Sequence, residues 1–348
     1  MIKAAPVIKE LEKRGFSYRL IETGQHGAYL DKLREEFQIR EPDVRLGKKT
    51  DVDSLFQACK WLLGLIPIIV SRKRVREQVF SASSGICLIH GDTPSTLVGA
   101  LLAKRAGLQI AHLESGLRSE SFLHPFPEEI IRVIVMKLSD VLFAPDEKAV
   151  LNLVALKVKG RIEETTTNTG IESLEENIEE VNPASGPVIA TLHRVENLHR
   201  KKRLKGFLKL LEQVTQKGQQ VLFVLHQPTQ EILHKQGLLK KIEEMGIKIV
   251  PLMPYKEFIK KLASAPYVIT DGGSIQEETA HMGIPCLLWR GKTERQNGLG
   301  QNVVISNYDK KTSEAFLNDF ENHRTEIRSE HSNPSSQVVD VLEEAMKV

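Results

Sequence analysis

Ile86-Cys87-Leu88-Ile89-His90-Gly91-Asp92-Thr93-Pro94 is the stretch that decides the fold. Four apolar residues without a polar break read as a strand buried on both faces, as in parallel sheets. His90-Gly91 ends the run. Asp92 or Thr93 is then a helix N-cap, and Pro94 suits the first helical position. A strand that turns directly into a helix, here Pro94–Ala106, is the opening half of a βαβ unit.

Working outward, the same alternation covers the chain. In the first half, helical patterns at Ile2–Arg14, His26–Glu36 and Asp51–Leu63 alternate with apolar runs at Tyr18–Ile21, Gln109–Leu113 and Val141–Ala144. In the second half, strands are expected at Val188–Leu192, Val221–Leu225, Ile247–Val250, Tyr267–Thr270 and Pro285–Leu288, with helices between them. The fold class is therefore α/β, two Rossmann-like domains in tandem with a cleft between them. A composition shift around Gly160 to Thr167 places the boundary, giving domains 1–164 and 165–348. Asn182-Pro183-Ala184-Ser185-Gly186-Pro187 is a loop by its turn formers. The last helical pattern, Ser336–Val348, is expected to pack back on the first domain.

Bulk properties narrow the function. With 348 residues the chain has room for two cores, and its 41% hydrophobic and 27% charged residues are those of a globular protein. A net charge of +3, with no basic stretch interleaved with aromatics, argues against nucleic acid. The basic run Arg200 to Lys205 reads as a solvated helix start. Cys59, Cys87 and Cys286 are widely spaced, which excludes a disulfide framework or a zinc site. No secretory signal opens the sequence, and the most apolar run, Leu62–Val70, is short and broken by Pro67. A cytoplasmic location and no membrane partner are expected.

Chemistry collects at the strand mouths, where ligands bind in open α/β sheets. The helix-entry reading explains Asp-Thr-Pro but leaves His90-Gly91 over. Glu114 ends the strand Gln109–Leu113 and either pairs with Arg118 or faces a ligand; small Ser115 and Gly116 favour the ligand. Pro127-Glu128-Glu129 opens a helix, where the macrodipole alone accounts for acids. Together with Asp92 and Glu114, however, Glu128 makes a third carboxylate, suited to taking and returning a proton at carbon. His193-Arg194 follows the first strand of the second domain, a natural place for a diphosphate. Asp271-Gly272-Gly273-Ser274 joins a strand to a helix, offering free N–H groups to phosphate, and Glu278 one turn on is placed for ribose hydroxyls.

With these residues in view, the chain resembles the non-hydrolysing branch of the UDP-N-acetylglucosamine 2-epimerase family. The matching stretches are HGDTPSTLVGALLAKRAGLQIAHLESGLRS, HPFPEEIIRVIVMKLSDVLFAP, TLHRVENL and ITDGGSIQEETAHMGIPCLLWRGKTERQ. The resemblance implies a glycosyltransferase-B-like fold, a homodimer, a UDP-sugar substrate, and no redox cofactor or catalytic metal. It implies Asp92, Glu114 and Glu128 as acid/base carboxylates and His193 as the catalytic histidine on the phosphate side. It places Gly272, Gly273, Ser274 and Glu278 at the UDP, Lys3 near the diphosphate, and Arg118 and Arg295 along the cleft. Members of the family open with a strand and a Gly-Thr-Arg-Pro-Glu turn just before the residues equivalent to Ile2-Lys3. The sequence as written lacks both, so an inactive UDP-sugar-binding protein stays open beside the epimerase. Also open are epimerisation of another UDP-acetamido sugar and the hydrolysing reaction. Ile131 stands where the family usually has asparagine, and Asp-Gly-Gly-Ser replaces Asp-Ser-Gly-Gly. Some bacterial members carry an allosteric site near the segment matching Thr23–His26; with Ala28 in place of a polar residue, that regulation is not expected.

Overall fold

The computed structural model describes residues 1–24, 27–47, 55–81, 84–119, 127–178, 182–327 and 333–347. The chain divides into two compact units, Met1–Ser173 with His331–Val348, and Leu174–Glu330.

In the first unit, β1 (Ile21–Glu22) and β2 (Val44–Arg45) form a two-stranded parallel pair. A separate four-stranded sheet runs β3 (Ile86–His90), β4 (Gln109–Leu113), β5 (Val141–Ala144) and β6 (Arg161–Glu164) in that spatial order, all parallel. The apolar runs form the buried strands because each residue can be covered on either face. β5 is buried throughout. Behind β3 the helix Pro94–Ala106 starts as its sequence demands, with Thr93 rather than Asp92 as N-cap in a reciprocal capping box with Thr96. Asp92 is thereby left outside the cap.

The second unit holds β7 (Val188–Thr191), β8 (Val221–Leu225), β9 (Ile247–Pro251), β10 (Val268–Thr270), β11 (Cys286–Leu288) and β12 (Val303–Ile305) in the order β12-β11-β10-β7-β8-β9, all parallel. Strand order reverses between β7 and β10. That is the topological switch point, whose crevice lies beyond the carboxyl ends of those two strands. Both units are parallel α/β, as the alternation of elements requires.

Some elements depart from expectation. β6 lies where the composition shift suggested a linker; its Arg-Ile-Glu-Glu is an exposed, polar edge with no apolar run to announce it. The first strand pairs only at Ile21–Glu22, later than the Tyr18–Ile21 run. The helix expected to end at Leu63 continues through Pro67 to Val70. An interior proline costs about 3 kcal/mol, and burial of Leu65, with partly buried Ile68 and Ile69 packed against the same apolar cluster, offsets it. Gln25, His26, Asp51 and Phe126 fall outside the described residues.

The final helix, Pro334–Met346, packs on the first, Ala5–Lys13, within the first unit. Val338, Val339 and Leu342 join Val7, Ala111, Leu113 and Phe143 in one buried cluster. Arg14 fastens the two helices through Asp340 and the Ser336 hydroxyl, 2.6 Å away. Among the described residues no helix is long and apolar enough to cross a membrane.

Candidate functional site

At the mouths of β3 and β4 the charged residues of the first unit form two groups of ion pairs, Lys3–Glu114–His90 and Arg118–Glu129–Arg132–Asp92. Glu114 has φ +60°, a left-handed conformation that a carboxylic residue adopts only when its surroundings enforce it. Gly116 supplies part of that enforcement. It has φ +89°, and a Cβ there would lie 2.3 Å from the carbonyl oxygen of Ala149, so only glycine lets the turn press this close. The turn aims the Glu114 carboxylate at Lys3, with which it forms an ion pair, while His90 Nε2 lies 2.9 Å from the other oxygen. Lys3 and Glu114 line a small cavity with His90, Thr165 and Asn168.

Arg118 does not pair with Glu114. It donates instead to Glu129, which is fully buried and also accepts from the Ser119 N–H and from Arg132 Nη1 at 2.7 Å. Arg132 extends its second amino group to Asp92. Burial works against the Glu129 charge, but Arg118, the Ser119 N–H and Arg132 together hold its carboxyl below the usual range. Glu128 lies half-buried one residue before it at the helix start, four residues from Arg132 and hence on the same helix face. The contact from Arg132 to Asp92 therefore brings that face to Asp92. The structure so gathers Asp92, Glu114, Glu128, Lys3 and Arg118 at two adjacent strand mouths.

In the second unit the switch point is built on Asp271. This buried carboxylate ends β10 and accepts from the backbone N–H groups of His193 (3.0 Å) and Arg194 (2.9 Å) and from Asn197 Nδ2 (2.9 Å). It also stands 3.2 Å from His193 Nδ1. The His193 ring is about a third exposed. Burial draws its pKa below the ordinary value, with the Asp271 charge opposing. Gly272 precedes the helix Gly273–His281, and a Cβ on it would stand 3.0 Å from His193 Cε1. Ser274 is exposed on the first turn, whereas Glu278 is buried and accepts from the Tyr255 hydroxyl at 3.1 Å. Arg295 is engaged by Glu277 (2.9 Å) and Glu294 (2.7 Å). His193, Gly272, Gly273, Ser274, Glu278 and Arg295 thus share the carboxyl edge of one sheet. A larger cavity, about 620 Å³, lies at the amino-terminal approaches to β7 and β8, away from these groups.

The sequence reading gave Arg132 no role, and quoted His112 and Asp271 within its motifs without assigning either a role of its own. Only the Glu-x-x-Arg spacing of Glu129 and Arg132 signalled an i,i+3 pair on one helix face. Among the described residues no group of three His, Cys, Asp or Glu side chains is arranged to hold a metal ion.

Parallel α/β units with carboxylates at one set of strand mouths, and a histidine beside a glycine-led helix start at the other, are an arrangement suited to an enzyme acting on a phosphate-bearing substrate. Within that class the chain belongs to the UDP-N-acetylglucosamine 2-epimerase family, whose sequence model matches residues 9–338. It is 30% identical over 336 residues to the UDP-N-acetylglucosamine 2-epimerase of Methanocaldococcus jannaschii, covering 90% of this chain and 88% of that protein. It is also 30% identical over 318 residues to the UDP-2,3-diacetamido-2,3-dideoxy-D-glucuronate 2-epimerase of Pseudomonas aeruginosa, covering 87% and 84%. The crystal structure of the M. jannaschii UDP-GlcNAc 2-epimerase in complex with UDP-GlcNAc and UDP superposes with a TM-score of 0.85 at 25% identity, over 99% of this chain and 96% of that one.

Proposed function

We propose that this chain interconverts UDP-N-acetylglucosamine and UDP-N-acetylmannosamine without hydrolysis, eliminating UDP and adding it back with inversion at C2. What supports the reading is that Asp92 and Glu114 follow two adjacent parallel strands, with Glu128 at the start of the helix whose Arg132 bonds Asp92. One carboxylate takes the proton from C2 as the C1–O bond breaks toward the β-phosphate, leaving a C1–C2 double bond. A second carboxylic acid returns a proton to the opposite face as UDP re-adds at C1. Two proton carriers on opposite sides of the ring are required, and Asp92, Glu114 and Glu128 are the candidates.

His193 and the N–H groups around Gly272–Ser274 hold the diphosphate in this reading. His193 gains a proton there and stabilises charge building on the leaving group. Glu278 takes the ribose, and Lys3, paired with Glu114, lies near the diphosphate. The chain works as a homodimer and needs neither redox cofactor nor metal.

The test is a proton NMR time course with UDP-N-acetylglucosamine in heavy water. The expected result is new UDP-N-acetylmannosamine signals carrying deuterium at C2. Free N-acetylmannosamine would overturn the non-hydrolysing mechanism. The likeness to a diacetamido-glucuronate epimerase favours a second substrate, so the same experiment is run with that nucleotide. Turnover of the uronate alone would replace the substrate named here.

A further inference from the structure

His112 is a fully buried titratable group with no part in the chemistry above. It sits on β4 two residues before Glu114, and its ring spans two turns. Nε2 is 2.7 Å from the carbonyl oxygen of Gly91, and Nδ1 is 2.6 Å from Ser115 Oγ. A carbonyl only accepts, so the ring proton resides on Nε2. Nδ1 then accepts from the Ser115 hydroxyl, in preference to the more distant His112 carbonyl at 3.2 Å. Burial pushes the imidazole pKa down to about 4, which keeps the ring neutral at physiological pH.

What the ring joins is the point. Gly91 lies between His90, which contacts Glu114, and Asp92, which contacts Arg132. Its own N–H donates to Leu113 O at 3.3 Å, so both sides of this peptide turn are tied to β4. Ser115 directly follows the left-handed Glu114, and its N–H donates to Phe143 O at 2.8 Å. The imidazole therefore bridges the carbonyl just before Asp92 and the hydroxyl just after Glu114.

We propose that His112 is a positioning residue, a neutral strut that fixes the separation and facing of Asp92 and Glu114. The proposal rests on reading those two carboxylates as the acid/base groups. Two groups that must meet one carbon from opposite sides tolerate little drift. A displacement of about 1 Å is worth about 100-fold in rate.

The experiment compares His112→Gln, His112→Asn and His112→Leu in the full chain, with kcat, KM and melting temperature measured for each. Glutamine can place an amide N–H near the position of Nε2 and keep the bond to Gly91. Asparagine reaches Ser115 but falls short of Gly91. Expected are a kcat loss of about 10- to 100-fold for the leucine and asparagine variants, KM within about twofold, and recovery to within a few-fold by glutamine. Equal losses for glutamine and asparagine, or kcat falling only in step with the folded fraction, would refute the strut. Should every variant unfold, nitrogen-15 NMR of the wild-type ring decides. An Nδ1–H tautomer, or a ring titrating near 6.5, overturns the proposal, and a neutral Nε2–H ring down to pH 5 supports it. Asp92→Asn and Glu114→Gln separate the two levels of argument. If both keep full turnover, the acid/base reading itself fails. If both are inactive while His112→Leu turns over normally, only the positioning role fails.

Discussion

Replacing Arg132 by leucine removes a side chain that bonds both Asp92 and Glu129. Breaking a buried ion pair from one side costs about 3–5 kcal/mol, because the surviving charge is stranded. Here Glu129 has no exposed surface, yet it retains Arg118 and the Ser119 N–H, so the loss belongs at about 2–3 kcal/mol. Neutralising the stranded carboxylate should return part of it: Glu129→Gln in the Arg132→Leu background is expected to recover about 1 kcal/mol. The chain has two tryptophans, Trp61 in the first unit and Trp289 in the second. Urea unfolding followed by Trp61 fluorescence in a Trp289→Phe background therefore reports on the relevant unit. The pH dependence has a definite sign. Because the folded Glu129 pKa is lowered, its contribution is complete above the unfolded carboxylate value and is lost as pH falls through the folded one. The gap between wild type and Arg132→Leu should narrow below about pH 4. If the double variant is destabilised by the sum of the two single losses, Arg132 and Glu129 are not coupled and the network argument is refuted.

Two further outcomes follow from the geometry. His193 has a lowered pKa in the free protein, and a diphosphate beside it would raise that value. UDP binding should therefore take up a fraction of a proton and strengthen as pH falls from 8 to 6, and His193→Gln should abolish both effects. Calorimetry in buffers of different ionisation enthalpy measures the uptake; none in the wild type sinks the assignment. Gly116→Ala forces a left-handed alanine, at about 1 kcal/mol, and a backbone overlap worth about 1–3 kcal/mol. The melting temperature should drop by several degrees, and a variant as stable as the parent would contradict the close approach to Ala149.

How much of this was legible in the sequence depends on which physical signal each feature emits. Ile86–Ile89 and Val221–Leu225 announce themselves because strands buried on both faces must be continuously apolar. β6 does not, because an edge strand with a wet face can carry Arg161 and Glu163. Asp92, Glu114 and His193 stood out in the sequence because a charged residue just after a buried strand has few structural reasons to be there. Arg132 and His112 were missed for the opposite reason. Inside a helix or strand, one arginine or histidine has the same local pattern whether it touches solvent or two distant turns. The partner of Arg118 shows the same limit, since sequence proximity pointed to Glu114 and the helix start delivered Glu129.

The first unit is assembled from both ends of the chain, and this bears on its birth at the ribosome. Val338, Val339 and Leu342 complete the cluster around Val7 and Phe143, so that core stays open until more than three hundred residues have emerged. The second unit, contiguous from Leu174 to Glu330, has no segment that waits for the last helix. Vectorial synthesis usually lets the N-terminal domain fold first; here its strands do emerge first, but one face of its core waits for the last helix. The apolar face around Val7, Leu113 and Phe143 is therefore covered only when the last helix arrives.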